Sequence, residues 1–288
     1  MPSTTSIDGD CARTRRSDAA RPLIAIAAES RYLAQRQPAG LSAALTRAGY
    51  VPLFLDPDHG GSAPLEAIDL IVARGRSTTL LELLARAESL RVRTINRRTA
   101  IAAVLDKASM ARALVAGGLP TPVSRAGSIA ALAATFHSSD YPLIVKPVFG
   151  DNARGIRVVR SPAELSAMRW AEPVAIAQRL IPSDGFDLKL YVIGSEVHAV
   201  RKASPIAADQ SAPPQPVPVT AALRALALRC GLLFGLELFG VDCIATPAGP
   251  VVIEVNDFPN YSGIDGADDC LARYLIERAC AAFERRRS

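Results

Sequence analysis

Histidine and cysteine are scarce in this 288-residue chain, with three of the first and five of the second. The cysteines are odd in number and none lies in a C-x-x-C pair, which argues against a disulfide framework or a zinc site and points to a reducing cytoplasm. Cys230, Cys243 and Cys280 read as small core residues, and His59, His137 and His198 as surface groups. No apolar run reaches membrane-spanning length. The most apolar stretch, 221–246, is broken by Arg224, Arg229 and Glu237, so no membrane partner is expected. The first sixteen residues carry Asp8 and Asp10 around no apolar centre and do not read as a secretory signal. No block of five or six like charges occurs and the net charge is only +5, so no nucleic-acid partner is indicated. Internal repeats are absent too.

What is present is enough apolar material for a substantial core, 49% hydrophobic against 21% charged residues, in two or three compact units. Residues 1–21 read as a polar tail. Residues 22–95 alternate short apolar runs (23–27, 51–55, 70–73) with helical spacing (41–48, 80–87), the pattern of a parallel sheet covered on both faces. Residues 96–173 open with one or two helices closed by Gly117, Gly118 and Pro120. A strand at 143–146, a glycine-bounded loop at 150–155 and a strand from 156 then form an antiparallel hairpin. Residues 174–288 read as a mostly antiparallel sheet with helices against it, including a closing helix at 268–285. The segment 204–218 holds five prolines and reads as a solvent-exposed loop. The fold class is thus α/β followed by α+β.

Three constellations could carry chemistry. Asp242 lies on one strand, and Glu254 and Asn256 share a face at the end of its neighbour; paired strands would gather three hard oxygen donors suited to Mg²⁺. An acidic strand end followed by an Asx turn is the plainer alternative. Lys146 ends a strand before the loop containing Gly150, Asp151, Asn152 and Gly155, where a point charge and free backbone N–H groups could meet phosphates. Neither the P-loop spacing nor G-x-G-x-x-G occurs, and an exposed hairpin with a solvated lysine is the alternative. Asp187 and Lys189 share a strand face, with Arg201 at the end of the next strand. Such a cluster suits a charged ligand and a metal, or simply cross-strand ion pairs.

In this order and spacing the three constellations resemble the ATP-grasp family from about residue 96 onward. The resemblance is carried by Asp106-Lys107 leading to Gly118-Leu119-Pro120, and by Ile144-Val145-Lys146-Pro147 before the glycine loop. Gln178-Arg179-Leu180-Ile181 followed by Asp184 and Asp187-Leu188-Lys189 adds to it, as does Gly240-Val241-Asp242 followed by Glu254-Val255-Asn256. It implies two α+β lobes clamping ATP behind an N-terminal α/β domain. By resemblance, Lys107 and Lys146 touch the nucleotide and the loop residues Gly150, Asp151, Asn152 and Gly155 cover its phosphates. Gln178, Arg179, Leu180 and Ile181 form the adenine hinge, Asp184 meets the ribose, and Asp187 joins the nucleotide set. Asp242, Glu254 and Asn256 hold Mg²⁺ or Mn²⁺, and Arg201 and Lys189 are the catalytic cations. Arg179 stands where relatives often have Glu.

The resemblance implies a carboxylate–amine ligase acting through an acyl phosphate on small-molecule or peptide acids and amines, and it is compatible with a homo-oligomer. The ligases that add glutamate to a ribosomal protein match the loop and the Glu254-Val255-Asn256 turn, but the proline-rich 204–218 replaces their usual sequence. A kinase acting on an inositol phosphate or similar polyol is the alternative, because 256–263 resembles a stretch of inositol-trisphosphate kinases. A nucleotide-binding regulator with a dead site ranks third.

Overall fold

A computed structural model of the chain describes residues 21–59, 64–150, 154–207 and 209–287. Residues 1–20 of the expected tail, with Cys11, and the loop residues Asp151 and Asn152 lie outside the described residues.

The first unit builds a parallel sheet from β1 (Ile24–Ala28), α1 (Arg36–Arg47), β2 (Leu53–Leu55), β3 (Leu70–Arg74), α2 (Thr78–Ser89) and β4 (Arg93–Ile95). All four strands are parallel, in the order β2-β1-β3-β4. β1 and β3 are buried at every position, which is why both read as unbroken apolar runs. Ser77 caps α2 by accepting from the Leu80 N–H at 3.2 Å.

The central unit runs through α3 (Arg98–Leu105), α4 (Lys107–Ala116), β5 (Ser124–Gly127), α5 (Ile129–Thr135), β6 (Leu143–Pro147), β7 (Arg157–Val159), α6 (Pro162–Ser166) and β8 (Ala175–Arg179). Asp106 separates the two leading helices. Its extended backbone ends α3, and its carboxylate caps α4 by accepting from the Ala108 and Ser109 N–H groups at 2.8 and 2.9 Å. β6 and β7 form the expected antiparallel hairpin. Alternation along β6 turns Leu143 and Val145 into the core beneath α5 and α6, and aims Ile144 and Lys146 at the opposite face. The sequence pattern put the boundary at residue 174, just before β8. β8 pairs with both β5 and β6, so it completes the central sheet and the next unit begins after Arg179. Its apolar sequence could have joined either sheet; only the pairing decides.

The last unit holds β9 (Phe186–Ile193), β10 (Glu196–Ala203), β11 (Gln215–Val217), α7 (Ala221–Phe234), β12 (Leu238–Thr246), β13 (Gly249–Asp257) and α8 (Ala267–Arg287). Its antiparallel sheet runs β11-β10-β9-β12-β13. α3, α4 and α7 cover one face. Part of the expected 204–218 loop is in fact the edge strand β11, where Pro216 is tolerated because an edge position can do without an N–H. α8 packs between its own sheet and the first unit, sharing a core with Tyr191, Ile193 and Leu238. Leu271, Leu275 and Ala279 pack with Ile24, Ile26 and Leu41, so the chain's end seals the first unit's core. Among the described residues no helix is long and apolar enough to cross a membrane.

Candidate active site

The three units meet around a cavity of about 440 Å³, lined among others by Lys146, Gln178, Lys189, Asp242, Glu254 and Asn256. The acidic part follows from strand pairing. Asp242 stands opposite Glu254 and Gly240 opposite Asn256, which sets the three donors on one face. The register slips directly after Asp242, where Cys243 pairs with Val252 and leaves Ile253 as an extra residue. That bulge lets both Ile253 and Glu254 reach the cavity.

Lysines from other elements hold these acids. Lys107, at the first turn of α4, donates to Glu254 Oε1 at 2.6 Å and to the Gly150 carbonyl at 2.9 Å. Lys189 on β9 lies 2.8 Å from Asp242 Oδ2 and 3.4 Å from Asp187 Oδ2. Burial works against the Lys189 ammonium, but Asp242 and Asp187 outweigh it and raise its pKa. Burial likewise opposes the charge on Glu254, and Lys107 and Lys146 outweigh it, holding the carboxyl below its usual range. Asp187 is pushed up by burial despite Lys189. Lys146 is different. It is 3% exposed and has no hydrogen-bond or ion-pair partner among the described residues, and burial lowers its pKa. A buried, unpaired ammonium facing a cavity fits an anionic ligand. Two carboxylates and an amide oxygen, with no nitrogen or sulfur donor, fit Mg²⁺. Among the described residues no group of three His, Cys, Asp or Glu is placed to hold a metal ion.

The first unit also reaches the site, which the sequence did not signal as a motif. At the end of β3, Arg76 donates through Nε to Asp257 Oδ1 at 2.7 Å and through a terminal nitrogen to Asn256 Oδ1 at 3.2 Å. Glu29, just after β1, fixes that turn by accepting from the backbone N–H groups of Arg76 and Ser77. The order β2-β1-β3-β4 makes the carboxyl ends of β1 and β3 the place where an open α/β sheet binds ligands, and Arg74-Gly75-Arg76 at that end was the available signal. Arg74 donates to Gln35 at 3.1 Å and Asn260 at 3.2 Å, tying the segment after β13 to the first unit.

Several expected site residues are placed otherwise. Arg201 pairs with Leu188 in the sheet register, while its neighbour Lys202 pairs with Asp187. Alternation therefore turns Arg201 away from the cavity and Lys202 into it. Arg201 instead lies 2.8 Å from Asp184 and stacks over the Phe186 ring. Asp184, expected at a ribose, is engaged there and does not line the cavity. Adjacent basic residues at a strand end cannot be ranked without the register. The Arg179 side chain reaches Asp140 at 2.8 Å, while Arg179, Leu180 and Ile181 are among the residues that line the cavity. The Arg179 and Leu180 N–H groups are already given to Val123 and Pro142. Gln178 is buried and donates to Ser124 Oγ at 2.8 Å. Gly150 and Gly155 both have positive φ, and a side chain at Gly155 would press on Pro147. Ser204, Pro205, Ile206 and Gln210 form a wall of the cavity, so this part of the expected solvent loop faces the site.

A RimK-like ATP-grasp domain matches residues 104–270, more than half of the chain. A protein of Legionella pneumophila (strain Paris) named "Probable alpha-L-glutamate ligase" is 29% identical over 236 residues, covering 76% of this chain and 78% of that protein. One from Haemophilus ducreyi with the same name is 28% identical over 185 residues, covering 60% and 61%. Among solved structures, a RimK domain protein ATP-grasp from Sphaerobacter thermophilus superimposes with a TM-score of 0.69 at 20% identity, over 88% of this chain and 98% of that one. D-alanine–D-alanine ligase from Bacillus anthracis, complexed with ATP, gives 0.69 at 17% identity, over 92% and 99%. These structures share the fold, and the named enzymes are ligases, which sets the ligase above the kinase. The chain belongs to the RimK-like ATP-grasp family of ligases.

Proposed function

We propose that the protein joins an acid to an amine at the expense of ATP, with its own residues in the roles that follow. The observation that carries this is one cavity in which Lys107 and Lys189 each hold a metal-type acid while Lys146 stays buried and unpaired. Lys146 and Lys107 grip the phosphates of ATP. The backbone from Arg179 to Ile181 borders the adenine. Asp242, Glu254 and Asn256 hold magnesium, which when bound offsets the charge of the phosphates during transfer. Lys189 keeps Asp242 ionised and oriented. Lys202, not Arg201, supplies the positive charge beside the acid substrate. Exclusion of water from the cavity keeps the phosphorylated acid intact until the amine attacks.

The relatives' name makes L-glutamate the first amine to test. The segment that suggested a kinase lines the cavity through Pro259, Asn260 and Ser262 and also ties the last unit to the first. Asn260 is held by Arg74 and Gln35, and Tyr261 is fully buried with its hydroxyl donating to the Val192 carbonyl at 3.0 Å. The relatives named as ligases favour the ligase over the kinase. The test is ADP and phosphate release with Mg²⁺ or Mn²⁺ across a panel of acids with L-glutamate and other amines. Release that needs both acid and amine supports the proposal. A phosphorylated polyol, or nucleotide binding without turnover across the panel, would replace it.

A further inference from the structure

Arg76 belongs to the first unit, yet its guanidinium lies on the strand that carries Glu254 and Asn256. It donates to Asp257 Oδ1 at 2.7 Å and to Asn256 Oδ1 at 3.2 Å. Both the Arg76 and Asp257 side chains are largely withdrawn from water, at 13% and 2% exposure. The amide nitrogen of Asn256 meanwhile donates to Asp242 Oδ2 at 3.3 Å. The two bonds orient the amide, and its oxygen, the one side-chain atom of Asn256 able to bind a cation, is held by a guanidinium. The turn bearing Arg76 is fixed from behind by Glu29. Arginine cannot relieve the conflict by losing its proton. A cation taking the Asn256 oxygen must either displace the bond from Arg76 or share the oxygen with it through the second lone pair, and in both cases it sits beside the guanidinium charge, which opposes metal binding.

We infer that Arg76 is a positioning residue that holds Asn256 in its metal-free arrangement and weakens magnesium binding until it is displaced. The inference rests on the reading of Asp242, Glu254 and Asn256 as metal ligands. It makes the first unit a participant in metal loading, since the turn after β3 carries the guanidinium that competes for the third ligand.

The experiment is a calorimetric magnesium titration of the full chain at saturating ADP. It compares the unaltered protein with Arg76→Lys, the double variant Arg76→Met with Asp257→Asn, and Glu254→Gln. Lysine keeps a charge beside Asp257 but is a single point donor that cannot serve Asp257 and Asn256 in one fork. The double variant removes the pair without stranding a buried carboxylate. The magnesium dissociation constant should fall by about threefold with lysine and up to about tenfold in the double variant, the worth of one released hydrogen bond. A purely structural role would weaken binding instead. If Glu254→Gln weakens magnesium but neither Arg76 variant tightens it, the inference fails and the metal assignment stands. If Glu254→Gln leaves magnesium binding unchanged, the metal assignment falls and takes the inference with it.

Discussion

Lys107 and Glu254 are 147 positions apart in the chain and 2.6 Å apart in the fold. Lys107 sits where Asp106 ends one helix and caps the next, and Glu254 sits just past the bulge that re-aims β13. Glu254→Gln keeps the shape and removes the charge. Turnover should fall by at least ~100-fold, because the lost interaction is with the charged transition state. A coupled ADP assay beside a thermal melt checks this. Near-normal turnover in a folded variant would take Glu254 out of the metal site.

Lys146 should show a conflict between stability and function. Burial depresses its pKa below the usual 10.5. A depressed folded value means the stability it contributes is present above 10.5 and lost as pH falls through the folded value, so at neutral pH the ammonium is a burden. Lys146→Met should raise the melting temperature of the ligand-free protein near neutral pH and flatten its rise toward alkaline pH. Nucleotide affinity should drop sharply at the same time. Melting curves from pH 7 to 10, with an ADP titration, provide the readout, and an unchanged ADP affinity would contradict the role given to Lys146.

Lys202 and Arg201 are neighbours with opposite outlooks. Lys202→Met should lower turnover by about tenfold or more, the loss of one charge-assisted contact to an anion. Arg201→Met should change it by less than about twofold, since its partner Asp184 is exposed and such pairs contribute little. Steady-state rates on the two variants decide, and the reverse ranking would restore Arg201 to the site.

Asp106 links a helix cap to the site. Asp106→Ala should cost about 0.5–2 kcal/mol by denaturant unfolding and should raise the KM for ATP, because Lys107 is the next residue. Burial opposes the Asp106 charge, but the Ser109 and Ala108 bonds outweigh it and lower its pKa. The cap's stability is therefore present above the ordinary value of 3.8 and lost as pH falls through the lower folded value. The variant should lack that acid-side loss. Equal stability of the two proteins at pH 7 would show that the cap does not hold α4.

Much of the architecture was legible because local rules govern it. The buried apolar runs of β1 and β3 announced a parallel sheet, and the glycine-bounded loop announced the hairpin of β6 and β7. The short elements β4, β5 and α5 escaped notice, since three to seven residues carry too little periodicity. The grouping of Asp242, Glu254 and Asn256 followed from alternation and one turn. The choice between Arg201 and Lys202 did not, because a shift of one residue exchanges the two faces. The seat of β8 was equally open, as its apolar face suited either sheet.

By itself the sequence determined which donor types stand at which spacing along each strand, because those are properties of the chain. Only the tertiary structure decided that Arg76 joins them, that α8 seals the first unit, and that the proline-rich segment walls the cavity. Those are contacts between parts of the chain far apart in sequence. Sheet order, register and helix packing set them, and no local pattern encodes the distance that they close.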